Sequence, residues 1–425
     1  MRFILLCAFS FFAFPALPQD FAISKFSLKD FRLSVTNAFS NGVVTVEAAP
    51  SLNGPWVAVK NAFSLASEVQ LQLQPLEDDG FYRALMVDLT DFDGVDNLFQ
   101  SYGDLSTVAG SGNITCISCY SWNSNFEGGF ATNAALSSPH ITMADRAGNL
   151  YIADKRAHAI RKVTLDGRIH TVAGTSIGGY GDTNPAPATT IQLNNPNGLY
   201  VFENGTFYIL DRDNGLIRKV DTNGIMTTIV NNGSPITGGR GLWVSPDESF
   251  LFFSAGSVLK LWDTSNGLTA FASGFSDLGN IAMDADGHMV VTDARLNRVY
   301  RIEDDGTKTV LAGNGNSFGG GDGALATDTA LFQVRGIWIP PCGGYFLSTD
   351  AACQLWYVDI YGVIHLVLNG SSGSHAGDGA WFYDSSDVPK ISNGKQITMD
   401  YDGNLILTES EYGYVRKIQF LRHGP

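Results

Sequence analysis

Six imperfect copies of one unit, running from about residue 104 onward, constrain this 425-residue chain more than any other feature. The clearest copy opens at Pro139, passes through Thr142, Met143 and Ala144, and turns over 145–149. It resumes as Leu150-Tyr151-Ile152-Ala153-Asp154, turns again, and continues as Ile160-Arg161-Lys162-Val163. Asp166-Gly167 then leads into Ile169-His170-Thr171-Val172-Ala173-Gly174. Each segment is short, rich in β-branched and aromatic residues, and bounded by Gly, Asn or Asp. Four antiparallel strands in a row are the expected result.

The pattern returns around Leu199, Trp243, Met283, Trp338 and Met399, and the sixth copy has no fourth strand after Ile418. The missing strand lies upstream: 105–110, Leu-Ser-Thr-Val-Ala-Gly, matches 169–174. An array whose last sheet is completed by a segment from its own start closes into a ring and leaves no open edge at the join. The predicted fold is therefore all-β, a six-bladed β-propeller over 104–425 closed by an N-terminal strand, with a small β domain before it. Glycine, 47 residues or about 11% of the chain against a usual ~7%, fits the number of tight turns required.

The pairing of Leu150-Tyr151-Ile152-Ala153-Asp154 with Ile160-Arg161-Lys162-Val163, repeated at Ile209-Leu210-Asp211 and Ile217-Arg218-Lys219-Val220, resembles the NHL-repeat family. The long loops over 173–182, 312–323 and 369–379 resemble a secreted branch of it. This resemblance implies the propeller fold and leaves function open, since propellers host many activities. The third copy departs most: Ser254-Ala255 stands where an Asp is expected, which removes that position's role there.

Residues 1–20 read as a signal peptide: Arg2, an apolar run of about twelve residues, then small residues near Ala16. No later segment approaches the ~20 apolar residues of a membrane span. Residues 21–87 form the small β domain, with strands expected around Val44, Val57, Leu71 and Tyr82. Residues 88–103 read as an acidic linker. Asp91, Asp93 and Asp96 beside Gly94 offer calcium ligands, but the full calcium-loop spacing is absent, which favours a solvated joint. Cys116 and Cys119 have the spacing of a small disulfide ring, whereas a strand between Cys342 and Cys353 holds that pair too far apart. A net charge of −15 argues against nucleic-acid or anionic-membrane partners.

Aligning the copies places His140, Asn197, Arg240, Gly279, Arg335 and Lys395 at equivalent positions, where each inner strand enters the central channel. The second strands are expected to end toward the same face at Asp154, Asp211, Asp293, Asp350 and Glu409. Two roles are open for this set. The cations receive an anionic group, such as a carboxylate on a sugar or peptide terminus; or each acid pairs with a neighbouring cation and serves only the repeat. The loop aromatics Trp122, Tyr180, Phe318 and Trp381 are expected above the same face, as a glycan or peptide surface or as packing among the loops.

Six-bladed propellers of similar appearance include lactonases and amidating lyases, and that resemblance implies an axial metal held by Glu, Asp, Asn or His. Here His140 alone among the histidines aligns with the axis, fewer than the three ligands of a catalytic zinc. No nucleophile elbow is present, and 319–323 lacks the Gly-Lys-Ser/Thr of a phosphate loop. The expected function is a secreted, extracellular or periplasmic, non-catalytic scaffold without a cofactor that binds a glycan, peptide or protein. The alternative is a lactonase-like or amidating-lyase-like enzyme with calcium or zinc on the axis.

Overall fold

The computed structural model describes residues 4–7, 22–27, 31–36, 38, 42–64, 68–73, 80–88, 95, 98–99, 101–112, 121–181, 185–340, 343–370, 375–379 and 391–420. Alternating short apolar runs and glycine turns give the expected strands. Blade 1 is Pro139–Ala144, Leu150–Asp154, Ala159–Val163 and Ile169–Ala173, paired in sequence order. The other inner strands are Pro196–Val201, Leu242–Val244, Leu278–Met283, Val334–Trp338 and Gly394–Met399, each opening its own antiparallel sheet. Ile152, Ile160, Ile209, Ile217, Leu407 and Val415 are wholly buried between blades. Burial of each such side chain contributes roughly 1.5–3 kcal/mol.

Closure occurs where the repeat arithmetic places it. The sixth sheet, Gly394–Met399, Leu405–Glu409 and Tyr414–Phe420, takes Tyr102–Ala109 as its outer strand. Val415 faces Ala109, Arg416 faces Thr107 and Ile418 faces Leu105.

The long inter-blade loops have a role that their sequence does not announce. Each leaves the end of one blade's outer strand and then descends along the outer edge of the next blade. Ala131, Ala188 and Ala326 occupy equivalent points, all buried. Their N–H groups donate to the carbonyls of Gly167, Gly224 and Gly362, in the turn before each outer strand. Their carbonyls accept from Gly110, Gly174 and Gly313, which end the preceding blade. The loop is thus a strap joining two blades through backbone hydrogen bonds, and it also pairs part of an outer sheet edge. Loops expected to stand as a crown above the ring instead run down its rim.

A buried arginine ties three blades to the straps that cross them. Arg161 pairs with Asp154 and lies 3.5 Å beneath the Trp122 ring. Arg218 pairs with Asp211 and donates to the Gly181 carbonyl. Arg416 pairs with Glu409 and donates to the Ala376 carbonyl and Asp378. Both partners of the Arg161–Asp154 and Arg416–Glu409 pairs are fully buried. Removing one partner of such a pair leaves an uncompensated charge, at a cost of about 3–5 kcal/mol.

The N-terminal domain is two packed sheets. One orders Ile4–Cys7, Phe81–Asp88, Gly42–Ala49 and Val57–Ser64; the other orders Ala22–Ser27, Arg32–Thr36 and Glu68–Gln72. Ile4–Cys7, inside the expected signal segment, runs parallel to Phe81–Asp88. Leu33, Val35, Val44, Val46, Leu71 and Tyr82 form the core. This domain packs on the ring at the end away from the strap origins. Asn61 donates to the Phe420 carbonyl, Phe63 stacks on Phe420, and Lys60 pairs with Asp402. The joint is less solvated than its acidic sequence suggests, because Leu98 and Phe99 are buried in one cluster with Tyr102, Leu105 and Phe420. Asp91, Asp93 and Asp96 lie outside the described residues, as do Cys116, Cys119 and Cys342; Cys353 is a buried free thiol.

Candidate functional site: a cationic mouth on the propeller axis

A local irregularity, repeated around the ring, aims side chains into the channel. Pairing of the first and second strands slips at the same place in five blades, leaving residues unpaired between Pro139 and Thr142, Pro196 and Gly198, Leu278 and Ile281, Val334 and Gly336, and Gly394 and Gln396. The unpaired residues include His140, Asn197, Gly279, Arg335 and Lys395. A bulge re-aims a side chain out of the ladder, and here it makes the column of aligned residues into a collar. Arg240 precedes the inner strand of blade 3 and joins the same collar. Neighbouring blades pack closely here: a Cβ at Gly198 would stand 2.5 Å from the Arg240 carbonyl oxygen, and one at Gly279 2.7 Å from that of Arg335.

The collar is a chain of ion pairs with cations left over. Arg240 Nη1 lies 2.7 Å from Asp277 Oδ1, and Arg335 Nη1 lies 3.1 Å from Asp277 Oδ2. Arg335 Nε lies 2.7 Å from Asp350 Oδ2, which also accepts from Lys395. Beside them Lys155 Nζ lies 3.4 Å from His140 Nε2 and forms no ion pair with a carboxylate among the described residues. Arg212 and Asp213 pair with each other at 2.6 Å. Among the described residues, the buried Arg240 Nε, Asp350 Oδ1 and Asn197 Oδ1 of the mouth have no hydrogen-bond partner.

These charges act on one another. Burial, then Lys155, Arg240 and Lys395, hold His140 well below the ordinary imidazole value. Burial and the neighbouring Arg212, Arg156 and Arg240 lower Lys155 to about 7, against a small opposing pull from Asp213. Burial pushes Asp277 up, yet Arg240 and Arg335 outweigh it and hold the carboxyl below its usual range. Asp350 behaves likewise, with Lys395 and Arg335 prevailing over burial. The cations of the mouth therefore outnumber its carboxylates, Asp213, Asp277 and Asp350, and favour negative charge there.

The structure brings His140, Arg240, Arg335 and Lys395 together, but Arg240 stands one place before the aligned column, because Leu242 faces Phe253 as Gly198 faces Leu210. Asn197 joins the ring but spends its amide on the Gly239 carbonyl. Trp122 is buried against Arg161 and Phe126. Tyr180 and Phe318 are exposed, 59% and 78%, and Trp381 lies outside the described residues. Tyr180 follows Gly179, whose carbonyl accepts from Asn214 beside the mouth.

Two expectations need correction. Asp350 is not the counterpart of Asp154, because Thr349 faces Gln354 as Asp154 faces Ala159. One residue further along, Asp350 falls in the column of Lys155 and Arg212 and so reaches the axis. Ser254 also keeps part of the lost acid's role: its hydroxyl accepts from the Arg240 and Gly241 N–H groups, both at 2.8 Å. Sequence reasoning missed Lys155 and Asp277. Counting strand register from the turn, rather than matching acids, places Lys155 opposite Asp350 in the alignment. Asp277 sits in a short irregular connection and carries no periodic signal.

A cavity of about 280 Å³ occupies the opposite end of the axis, between ring and N-terminal domain, lined by Asn61, Phe63, Met143, Trp338, Met399 and Tyr401. Asn280 and Gln396 stand between the two ends: Asn280 reaches the Lys395 carbonyl across the inner strand of blade 5, and Gln396 reaches that of Ile337. Asp284, Asp286 and His288 cluster at a turn of blade 4, where Asp284 accepts from the turn's own N–H groups.

No protein-family model matches the chain. Over 96 residues, 22% of this chain, it is 33% identical to Protein SUPPRESSOR OF QUENCHING 1, chloroplastic, of Arabidopsis thaliana, of whose length it spans 9%. Similar solved structures cover nearly all of the chain. A structural genomics protein of unknown function from Bacteroides thetaiotaomicron VPI-5482 has a TM-score of 0.58 at 14% identity, covering 96% of this chain and 99% of that one. Auxiliary nutrient binding proteins from Bacteroides thetaiotaomicron VPI-5482 and Bacteroides ovatus ATCC 8483 give TM-scores of 0.55 and 0.53 at 12% and 13% identity, with the same coverages. At these identities the likeness is one of fold. The class is a six-bladed β-propeller carrying an N-terminal β domain, and the NHL resemblance rests on the residues quoted above.

Proposed function

We propose that this protein is an exported recognition scaffold that takes the carboxylate-bearing end of an extracellular glycan or peptide at the cationic mouth of its propeller. One observation carries the reading: in a chain of net charge −15, Lys155, Arg212, Arg240, Arg335 and Lys395 gather at the mouth and outnumber Asp213, Asp277 and Asp350. An incoming carboxylate finds the Lys155 Nζ and the Arg240 Nε, which have no carboxylate partner and no hydrogen-bond partner, respectively, among the described residues, in a half-buried setting where charge-assisted hydrogen bonds are strong. The exposed Tyr180 and Phe318 offer apolar area on the loops that begin at this face. The nutrient-binding name of two structural neighbours agrees with a ligand-collecting role.

Calorimetric titration with a uronic-acid oligosaccharide, and with a peptide bearing a free C-terminus, tests this against their neutral methyl ester and amide. Saturable binding of the acids, with about tenfold weaker binding after Lys155→Met, is the expected outcome. Equal affinity for acid and neutral forms, or none for either, removes the reading.

The alternative, an axial metal serving a hydrolase or lyase, is opposed by the residues present. The groups that lower His140 besides burial are all cations, Lys155, Arg240 and Lys395, which disfavour a divalent ion there. Elemental analysis of chelator-washed protein is expected to find no stoichiometric ion; a tightly held one would favour the enzyme.

A further inference from the structure

The mouth contains an arrangement that simple anion binding does not require. His140 is almost wholly buried, and its Nδ1 lies 3.3 Å from the Ser138 carbonyl. A carbonyl only accepts, so that ring nitrogen carries the proton and Nε2 presents a lone pair. Lys155 Nζ stands 3.4 Å from that lone pair. An amine, a base within reach of its proton, and a backbone group fixing the base's tautomer reproduce the order of nucleophile, base and orienter. The surroundings favour the free amine as well. Arg156 and Arg212 on neighbouring turns, and Arg240 just before the inner strand of blade 3, act on Lys155 as cations, opposed by Asp213. A lysine beside other cations is activated in this way.

We propose that Lys155 is a nucleophilic amine that captures the carbonyl carbon of a 2-oxo acid as an imine, with His140 moving the proton and the collar cations holding the adjacent carboxylate. The Lys155 nitrogen lone pair attacks the carbonyl carbon, and the carbonyl π pair moves to oxygen. The proton released from nitrogen passes to His140 Nε2 and then to that oxygen, giving a carbinolamine. Departure of the hydroxyl as water, with the second nitrogen proton, completes the C=N bond. One carbonyl and one amine become one imine and one water, with no change of oxidation state. The inference rests on the mouth receiving a carboxylate, and it narrows the ligand to acids with a neighbouring carbonyl.

The test uses the full chain, glyoxylate or pyruvate as probe, and cyanoborohydride as trap near pH 7, with peptide mapping by mass spectrometry. One reduced adduct per chain on the peptide containing Lys155 is expected, absent in Lys155→Arg. His140→Gln should slow trapping on the order of 10²-fold while circular dichroism stays unchanged. Propanal, which lacks the carboxylate, should label Lys155 no faster than exposed lysines. If lactate binds by calorimetry but neither oxo acid is trapped at Lys155, the imine is wrong and the carboxylate site stands. If lactate and the oxo acids neither bind nor label, both fall together. Uniform labelling of all lysines also overturns the inference.

Discussion

Lys155 is the residue whose chemistry depends most on the ring around it. On an isolated strand it is an ordinary ammonium; in the mouth, burial and the flanking arginines bring its pKa to about 7. An acylating reagent attacks only the unprotonated amine, so its rate at Lys155 should climb as pH rises toward 7 and level off above it. Lysines on the rim should keep climbing toward pH ~10.4. Residue-resolved labelling between pH 5 and 10 measures this, and a Lys155 profile parallel to the rim lysines contradicts the electrostatics. The residue scale also shows where sequence runs out. His140, Arg335 and Lys395 are legible because each is the second residue of an inner strand, and Arg240 because it stands just before one. Asp350 was assigned one place early, since an acid next to a strand end looks like the repeat's acid until Thr349 is paired with Gln354.

At the scale of elements, strands and turns were readable because β-branched runs and glycine turns are local. The straps were not. Their hydrogen bonds run through backbone groups of Ala131, Ala188 and Ala326, and an alanine in a glycine-rich loop carries no sign that its N–H is committed. The glycines they meet do carry a constraint. Gly313 has φ +89°, and a Cβ there would stand 2.0 Å from the Asn297 carbonyl oxygen. Gly287 has the same φ of +89° with nothing within 4 Å. Alanine at Gly287 should cost about 1 kcal/mol for the left-handed backbone. Alanine at Gly313 should cost about 1–3 kcal/mol more, because the backbone of Asn297 and Arg298 at the start of the third strand leaves no room for it. Urea unfolding of the two variants separates these contributions; equal losses would show that the approach of Asn297 to Gly313 is not tight.

For the whole molecule, everything at the mouth depends on six blades sharing one axis, and the axis exists only if the ring is shut. The match of 105–110 to 169–174 made closure legible, because the same Thr-Val-Ala-Gly string must fill the same outer-strand place. The seating of the N-terminal domain on the far end was not legible. Asn61 and Phe63 meet the sixth blade through pairings that leave no periodic trace. Ser106 and Lys417 face each other across the joint, so the double variant Ser106→Cys with Lys417→Cys measures closure directly. The ring predicts a spontaneous disulfide under mild oxidation, found as one linked peptide pair in the folded protein, and a gain of about 2–4 kcal/mol against urea. Two free thiols after oxidation of the folded protein would contradict the closed ring and the mouth built on it.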